Sequence, residues 1–305
     1  MKLIIQIPCF NEEATLPITL SELPRSVDGF DSVEWLIIDD GCTDNTALVA
    51  KQNGVDHIVQ LKQNQGLAKA FTAGLERCIA LGADVIVNTD ADNQYQAKDI
   101  GKLVEPILEY KADYVIGERS ISETEHFSVA KKVLQKIGSW VVKQASGTDI
   151  PDAPSGFRAI SNSCARQLNV YSHFTYTLET IIQAGQKKMI VMSVPVRTNS
   201  ELRPSRLFKN NFAYIKESTI TIVRIFVVYR PFRFFFTIAT LLTLLGVTIG
   251  MRFLYYWLTG DGEGRVQSVI LSGLLIGIGF QAGLIAFVAD LLAVNRKLLE
   301  DLKKK

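Results

Sequence analysis

Residues 85–94 read Val-Ile-Val-Asn-Thr-Asp-Ala-Asp-Asn-Gln, an apolar run that ends in two alternating carboxylates. The apolar residues 85–87 predict a short buried β-strand. Asp90 and Asp92 stand at the carboxyl end of that strand, separated by one residue. In mainly parallel α/β sheets, ligands bind at this end of the strands. The segment therefore predicts both a central strand and a ligand-binding edge.

Strand-like and helical patterns alternate on both sides of this segment. Further strand-like runs cover residues 2–8, 34–39, 57–61 and 113–117, and helical patterns cover residues 13–20, 43–53, 66–81 and 97–110. Repeated alternation of this kind is typical of a mainly parallel α/β sheet. No apolar run before the C-terminal third exceeds about eight residues, which is too short to cross a bilayer. We expect this part of the chain to be a water-soluble α/β domain.

Acidic and amide side chains also follow two other predicted strands. Asn11 and Glu12 follow the first strand, and Asp39 and Asp40 end the second. Each group on its own would equally suit the cap of a helix. Gathered at one sheet edge, however, the carboxylates repel one another unless a cation or a donor-rich ligand offsets their charge. A bound metal ion is the economical explanation.

The spacing of Asp90 and Asp92 suits a hard divalent cation. Mg²⁺ and Mn²⁺ accept oxygen ligands, and Mg²⁺ typically binds one or two carboxylates together with substrate phosphates. The chain has no G-x-x-x-x-G-K-[ST] loop and no G-x-G-x-x-G after its first strand. Their lack disfavours P-loop phosphoryl transfer and dinucleotide redox chemistry. A nucleoside diphosphate derivative held through a metal is the ligand class that remains.

Two charge-free stretches near the C-terminus predict membrane-spanning helices. Residues 234–251 and 266–289 are 18 and 24 residues long. As helices they would extend about 27 Å and about 36 Å, against a hydrocarbon core of about 30 Å. We place the spans at about 232–258 and 266–294.

Basic residues flank the two spans and predict their orientation. They are Lys209, Lys216, Arg224, Arg230 and Arg233 before the first span, and Arg296, Lys297 and residues 303–305 after the second. The connecting residues 259–265 hold a single basic residue, Arg265. Because basic loops stay on the cytoplasmic side, both termini are expected in the cytoplasm. No signal-peptide pattern opens the chain, so the α/β domain is also expected to stay there.

Composition narrows the class of protein further. Of the 305 residues, 48% are hydrophobic and 21% are charged, with a mean hydropathy of +0.16, which argues against disorder. The net charge of +2, from 33 basic and 31 acidic residues, is too balanced for a nucleic-acid binder that uses a basic face. The four cysteines and three histidines lack metal-ligand spacing. Neither a disulfide framework nor a zinc site is predicted.

Six motifs in order give the chain a family resemblance. They are Pro8-Cys9-Phe10-Asn11-Glu12, residues 39–46, Asn64-Gln65-Gly66, residues 90–94, Gly117-Glu118-Arg119 and residues 152–158. In this order they resemble the family 2 glycosyltransferases of the GT-A fold, a Rossmann-like α/β fold. More closely, they resemble the polyprenyl-phosphate glycosyltransferases, the group of dolichol-phosphate mannose synthase and bacterial bactoprenol glucosyltransferases. The resemblance implies a catalytic domain at residues 1–206, juxtamembrane interfacial helices at 207–231, and two spans with a basic tail at 232–305.

The resemblance also implies roles for individual residues. Pro8, Asn11, Glu12, Asp39, Asp40 and Asp90 would bind the donor nucleotide, and Asp90, Asp92 and Gln94 would hold Mg²⁺ or Mn²⁺. Arg119, Ser155, Arg158, Ser205 and Arg206 would bind the acceptor phosphate. The catalytic set would be Asp92, Asp152, Arg119 and Arg158. Arg203 stands where a glycine usually precedes the Ser205-Arg206 pair, so that loop is expected to differ in shape.

The implied reaction is the inverting transfer of one sugar, glucose from UDP-glucose, to polyprenyl (undecaprenyl) phosphate at the cytoplasmic membrane face. The second pKa of a phosphate monoester is about 6, so the acceptor is largely ionised near neutral pH and needs no strong base. The enzyme must instead hold two anions close together, with a metal on the donor and arginines on the acceptor. Asp152 is then interpreted as an orienting group or charge partner.

Two other functions are compatible with parts of the sequence. A processive polysaccharide synthase would resemble its family in a Gln-x-x-Arg-Trp motif, which this chain lacks, and two spans are few for a polymer channel. A non-catalytic sugar-nucleotide sensor or scaffold would bind the donor without turnover. Three G-x-x-x-G motifs, starting at Gly246, Gly273 and Gly279, favour a packed hairpin or an oligomer. We expect a homo-oligomer at the bilayer, with no nucleic-acid partner.

Overall fold

The computed structural model describes residues 1–119, 129–170, 176–200, 219–221, 223–225, 227–260 and 266–302. The chain forms two compact units, Met1–Thr219 and Ile220–Lys305. Several segments lie outside the described residues: most of the juxtamembrane segment, the inter-span loop and the last three residues. Ser205 and Arg206, for which a role in acceptor binding was predicted, lie outside them as well.

The first unit is built on a seven-stranded sheet. Its strands are β1 (Lys2–Cys9), β2 (Ser32–Asp39), β3 (His57–Gln60), β4 (Val85–Asn88), β5 (Tyr114–Arg119), β6 (Arg158–Ser161) and β7 (Val191–Val196). The strand order is β3-β2-β1-β4-β6-β5-β7. β6 runs antiparallel to both of its neighbours, and the other pairs are parallel. The predicted mainly parallel α/β sheet is confirmed, with two strands, β6 and β7, added to the five that the sequence indicated.

Helices connect most of the strands, as the alternating pattern predicted. They are α1 (Leu16–Glu22), α2 (Thr46–Gln52), α3 (Leu67–Ala80), α4 (Ile100–Leu108), α5 (Val129–Ser146), α6 (Asn162–Ala165) and α7 (Thr177–Gln186). A short 3-10 turn, Ala97–Asp99, leads into α4.

Both faces of the central strand β1 are buried. Leu3, Ile5 and Ile7 are fully buried in one hydrophobic core, which also includes residues of α1 and α4. On the opposite face α3 packs against the sheet, and Gly74 of α3 leaves room for the Gln6 side chain. The sheet is therefore covered on both sides at β1, which leaves the carboxyl end of this strand as its accessible edge. The strand order reverses between β1 and β4, so a ligand crevice is expected outside the ends of these two strands.

The second unit contains the helices α8 (Pro231–Leu258) and α9 (Val266–Leu302). Both are long and apolar enough to cross a membrane. The two predicted apolar helices are thus present, and α9 continues beyond the predicted end at residue 294.

Small residues bring α8 and α9 close together. The Ser272 hydroxyl donates a 2.7 Å hydrogen bond to the Gly246 carbonyl on the other helix. A Cβ atom at Gly279 would lie 2.4 Å from the Thr243 hydroxyl. By contrast, Gly273 and Gly277 have no described atom within 4 Å of such a Cβ position. Two of the three predicted motifs therefore contribute to packing within the hairpin, and the one at Gly273 faces away from it.

Candidate active site

The loops after β1 and β2 are joined by side-chain hydrogen bonds. Asn11 adopts a positive φ of 56°, and its side-chain oxygen accepts the Thr43 backbone N–H at 2.8 Å. The Glu12 backbone N–H donates to the Thr46 hydroxyl at 2.8 Å, and the Thr15 hydroxyl donates to the Glu12 carboxylate at 2.6 Å. The two polar segments that the sequence singled out thus form one structure at the same sheet edge.

Asp40 anchors a third loop to this edge. Its two carboxylate oxygens accept the backbone N–H groups of Gln65 and Gly66 at 2.8 and 2.9 Å. Burial raises the pKa of Asp40, opposed by these two hydrogen bonds. The following residue, Gly41, has a φ of 69°, and a Cβ there would lie 2.4 Å from the Gln63 carbonyl carbon. The Asp-Asp-Gly motif therefore needs its glycine for the close approach of the residue 63–66 loop.

Asp39 and Pro8 lie at the ends of their strands. Asp39 is 6% exposed and accepts the Cys42 backbone N–H at 2.7 Å and the Gln60 side-chain amide at 3.3 Å. Pro8 is buried within β1. Asp39, Asp40, Asn11 and Glu12 are thus brought together around the end of the β1–β2 pair, while their role in binding a nucleotide stays a prediction.

Asp90 and Asp92 follow β4, next to β1 in the sheet. Burial and the neighbouring Asp92 charge raise the pKa of Asp90 to about 7. No described residue donates a hydrogen bond to the Asp90 carboxylate. Asp92 accepts the Gln94 backbone N–H at 3.2 Å, which holds Gln94 beside the pair. A desolvated carboxyl without a donor, close to a second carboxylate, is a site that a cation would stabilise.

These two carboxylates would need further ligands from the substrate. Within the described part of the chain, no group of three or more histidine, cysteine, aspartate or glutamate side chains is arranged to hold a metal. A pair of carboxylates that is completed by phosphate oxygens and water is the usual arrangement for Mg²⁺. The donor set at Asp90 and Asp92 therefore fits a metal-diphosphate better than a permanently bound ion.

Gly156 packs directly against the Asp90 carboxylate. A Cβ at Gly156 would lie 2.8 Å from Asp90 Oδ2 and 2.9 Å from Oδ1. The Gly156 backbone is held from both sides, since its N–H donates to the Tyr95 hydroxyl at 3.0 Å and its carbonyl accepts the Asn88 side-chain amide at 2.9 Å. Tyr95 and Asn88 were not predicted as site residues. A polar asparagine at the end of an otherwise apolar strand was the available signal for Asn88.

Arg119 and Asp152 form a buried ion pair near this site. Asp152 is completely buried, and the Arg119 side chain is 13% exposed. The Arg119 charge opposes the upward shift in the pKa of Asp90, so its guanidinium lies close enough to act on the Asp90 carboxylate. The resemblance placed both residues at the reacting centre, and the structure brings them together.

Arg158 corrects one prediction. It was expected to bind the acceptor phosphate, but its side chain is 0% exposed. Nε donates to the Ser155 carbonyl at 2.6 Å, Nη2 to the Ala153 carbonyl at 2.7 Å, and Nη1 to the Tyr114 hydroxyl at 2.5 Å. Nη1 also donates to the Thr177 carbonyl at 2.8 Å. With these acceptors around it, the guanidinium supports the fold of the 152–158 loop instead of facing a lipid phosphate.

Ser155 is likewise 0% exposed. Its hydroxyl has no hydrogen-bond partner among the described residues, and its carbonyl accepts from Arg158. Its predicted contact with the acceptor phosphate stays a prediction.

Comparison with known proteins identifies the family. Residues 4–168 match the profile of the protein family described as Glycosyl transferase family 2. The chain belongs to this family. The match covers the sheet from β1 to β6, including the loops that hold Asp40, Asp90 and Arg119. The sequence-based assignment to the family 2 glycosyltransferases is confirmed.

Several relatives of this glycosyltransferase act on polyprenyl phosphates, according to their names. It is 29% identical over 213 residues to the UDP-N-acetylglucosamine–dolichyl-phosphate N-acetylglucosaminyltransferase of Methanococcus voltae, covering 63% of this chain and 83% of that one. It is 28% identical over 176 residues to the undecaprenyl-phosphate mannosyltransferase of Micrococcus luteus, covering 56% and 70%. The resemblance to the polyprenyl-phosphate glycosyltransferases is therefore confirmed.

Solved structures show the same fold. Glucosyl-3-phosphoglycerate synthase from Mycobacterium tuberculosis, in complex with phosphoglyceric acid, aligns with a TM-score of 0.57 and 18% identity, covering 74% of this chain and 79% of that one. The same enzyme in complex with Mn²⁺, UDP and phosphoglyceric acid aligns with a TM-score of 0.55 and 18% identity, covering 74% and 77%. The predicted GT-A fold is confirmed by this likeness.

Proposed function

We propose that this glycosyltransferase moves one sugar from a nucleotide sugar to the phosphate of a membrane polyprenyl phosphate. The observation that carries the proposal is the pair Asp90 and Asp92, placed at the switch point of a family 2 fold within electrostatic reach of Arg119. The names of the relatives support the acceptor class, and the two apolar helices support a position at the membrane.

Asp90 and Asp92 would hold Mg²⁺ or Mn²⁺ in this reaction. The M. tuberculosis structural neighbour was solved with Mn²⁺ and UDP, and the carboxylate pair described above suits the same chemistry. When bound, the metal would offset the charge of the donor diphosphate and of the leaving nucleoside diphosphate. The loops that Asp40 and Asn11 hold together would bind the nucleotide beside it.

The protein's own part in the acceptor step is to position charge. The acceptor phosphate is largely ionised near neutral pH, so its oxygen can attack the sugar carbon without transferring a proton to a base. Arg119 would bind that phosphate, and Asp152 would hold the Arg119 guanidinium in one orientation. The buried Asp152 is engaged by Arg119, which suits an orienting group better than a proton acceptor.

The identity of the transferred sugar is a separate part of the proposal. The sequence resemblance favours UDP-glucose, whereas the named relatives transfer N-acetylglucosamine or mannose. We retain UDP-glucose as the proposed donor and treat UDP-N-acetylglucosamine and GDP-mannose as the direct competitors.

One assay tests acceptor, donor and metal together. The purified full-length protein is incubated with polyprenyl phosphate, each of the three nucleotide sugars, and Mg²⁺, Mn²⁺ or excess chelator, and the lipids are analysed by mass spectrometry. The proposal predicts one lipid carrying a single added hexose, formed only with metal. A ladder of several sugars would favour the processive synthase. Nucleotide-sugar binding with no glycolipid from any donor would favour the sensor or scaffold.

The flanking charges also favour one orientation of the two spans in the membrane. We propose that both termini face the cytoplasm, because the basic residues lie on the terminal sides of the spans. A cysteine introduced at Gly262 in a cysteine-free background should react with an impermeant reagent from outside the cell, and one at Lys304 should not. We also propose that the protein self-associates through the face of α9 at Gly273 and Gly277, where no described residue packs. A mass in detergent larger than that of one chain would support this.

A further inference from the structure

A basic cleft lies at the end of the hairpin where α8 begins and α9 ends. It has a volume of about 270 Å³, and its polar lining comes from Tyr229, Arg230, Arg233, Asp290 and Arg296. Phe232 of α8 stacks edge to face on Phe287 of α9, with ring centres 5.2 Å apart. This contact closes the hairpin directly beside the cleft. All these residues belong to the second unit of the chain.

The charge of the cleft favours an anion. Its lining holds three guanidinium groups against one carboxylate, Asp290. The Nε atom of Arg230 is buried and has no hydrogen-bond partner among the described residues. The Arg296 guanidinium lies over the Tyr229 ring at 4.6 Å, which fixes its plane at the cleft wall. A buried donor without a partner costs free energy unless a ligand supplies the acceptor.

The N-terminal end of α8 also favours an anion in the cleft. This 28-residue helix begins at Pro231, receives no side-chain cap from Arg230, and has no acidic residue in its first turn. Neither a capping side chain nor an acidic residue of its own first turn therefore offsets its first backbone N–H groups and the positive end of its dipole. Pro231 and Phe232 line the cleft, so this positive end lies at the same place as the arginines.

The position along the hairpin selects a lipid as the source of the anion. The charge-free stretches 234–251 and 266–289 begin and end within a few residues of the cleft. In a bilayer this places the cleft at the level of the lipid phosphates. Basic pockets between membrane helices at this level are suited to anionic headgroups. The volume of the cleft lies just below the lower end of the range for drug-sized sites, which suits a headgroup better than a whole lipid.

From the arginines, the uncapped helix start and this depth, we propose that the cleft binds the headgroup of an anionic phospholipid that carries hydroxyl groups beside its phosphate. Arg230, Arg233 and Arg296 bind the phosphate. Asp290 accepts hydrogen bonds from the headgroup hydroxyls, whereas it would repel a bare phosphate monoester such as polyprenyl phosphate. This site is separate from the proposed transfer reaction and does not depend on it.

Native mass spectrometry of the delipidated full-length protein tests the proposal. The probes are phosphatidylglycerol, phosphatidic acid, zwitterionic phosphatidylcholine, polyprenyl phosphate and inorganic phosphate. Polyprenyl phosphate is also bound by the proposed active site, so its retention should be the same in the wild type and in every variant. Among the other four probes, we expect phosphatidylglycerol to be retained most strongly. In the Arg230→Gln, Arg296→Gln double variant this retention should fall about tenfold or more. The matched control is Arg252→Gln, which removes an exposed arginine near the other end of α8 and should leave retention unchanged.

Asp290→Asn provides a second, milder test in a protein that keeps its arginines. It should narrow the preference for phosphatidylglycerol over phosphatidic acid, because the repulsion of a bare phosphate is removed. Stronger retention of inorganic phosphate than of phosphatidylglycerol by the wild type would overturn the proposal, and so would a loss of polyprenyl-phosphate retention in the double variant as large as the loss of phosphatidylglycerol retention. So would equal losses in the double variant and in Arg252→Gln. Affinity for the nucleotide sugar, measured in parallel, should be the same in all variants.

Discussion

Asp152 holds Arg119 by three hydrogen bonds. The Arg119 Nε and Nη2 atoms donate to the two carboxylate oxygens of Asp152 at 2.7 and 2.9 Å, and the Arg119 backbone N–H donates to Oδ2 at 3.2 Å. The side chain and the backbone of Arg119 are therefore fixed by one buried carboxylate. Nη1 donates to no described residue, and in the proposed reaction this edge of the guanidinium would bind the acceptor phosphate.

Replacing Asp152 with Asn should lower turnover by about 10- to 100-fold, the cost of weakened hydrogen bonds to a charged group. An amide can accept from one Arg119 nitrogen but cannot form the charge-assisted fork. Because Asp152 acts through Arg119, the KM for polyprenyl phosphate should rise while the affinity for the nucleotide sugar is retained. Steady-state kinetics and nucleotide-sugar titration measure these two effects.

The same variant separates an orienting carboxylate from a general base. If Asp152 only orients Arg119, the residual activity of Asp152→Asn should keep the pH dependence of the wild type. A profile in which the variant regains activity only at high pH would instead indicate that Asp152 accepts a proton.

Asp92→Asn should abolish most turnover while leaving the fold intact. The substitution removes a charged oxygen ligand from the pair that is proposed to hold the metal. Turnover should fall by about 100-fold or more, and Mg²⁺ or Mn²⁺ should no longer tighten nucleotide-sugar binding. Glu109→Gln, which changes an exposed carboxylate paired with Lys111, is the matched control. Full activity of Asp92→Asn, or of the wild type in excess chelator, would exclude the metal role.

Arg158→Lys should destabilise the protein rather than weaken acceptor binding. The guanidinium donates from three nitrogens to carbonyl and hydroxyl oxygens in the core, and an ammonium cannot reach all of them. A loss of about 3 kcal/mol in the free energy of unfolding is expected. Denaturant titration measures it, and at low temperature the folded fraction should keep its KM for polyprenyl phosphate. An unchanged stability with a raised KM would restore the original prediction for this residue.

Candidate site residues at the ends of strands could be predicted from the sequence. The role of a residue such as Arg158 could not, because it depends on whether the side chain is buried. Asp90 and Asp40 were found because carboxylates after strands of a parallel sheet converge at one edge. Arg158 was misinterpreted because arginines are rarely fully buried, and nothing in its local sequence shows that Tyr114 and the carbonyls of its own loop surround it. Tyr95 was missed since its contact with Gly156 spans 61 residues of chain.

The buried carboxylate of Asp99 should make the stability of the first unit depend on pH. It is fully buried, and it accepts from the Arg197 side chain at 2.7 and 3.1 Å and from its backbone at 2.8 Å. Despite the opposing effect of burial, these hydrogen bonds from Arg197, with those from Lys102, hold the pKa of Asp99 well below its usual range. Because the pKa of Asp99 is lower in the folded state, its ionised carboxylate stabilises the fold at pH values above its pKa in the unfolded chain, about 3.9. This stabilisation is lost as the pH falls towards the pKa in the folded state.

Asp99→Asn should therefore lower the melting temperature at pH 7, and the difference from the wild type should shrink as the pH falls below about 4. Differential scanning fluorimetry over this range measures the effect. The exposed pair of Glu109 and Lys111 is again the control, because surface ion pairs contribute little. If the difference in melting temperature stayed constant down to low pH, Asp99 would contribute to stability through packing and not through its charge.

Gly156→Ala tests whether the 152–158 loop positions Asp90 and Asp92, the pair that is proposed to hold the metal. The added methyl group would lie 2.8 Å from Asp90 Oδ2, and Gly156 cannot retreat because Asn88 and Tyr95 hold its backbone. The Asp90 carboxylate must then move. Since a small displacement at a reacting centre is costly, turnover should fall by about 100-fold. The metal concentration for half-maximal activity should rise as well, which a purely structural effect on stability would not cause.

Gly101→Ala is the matched control for this substitution. Gly101 lies in α4, and a Cβ there meets no atom of the described residues within 4 Å, so the alanine should stabilise the helix slightly and leave activity unchanged. If Gly156→Ala retained wild-type activity and metal dependence, the carboxylate of Asp90 would not need its present position, and its assignment as a metal ligand would fail. If both variants lost activity equally, the loss would come from folding, and melting temperatures would show it.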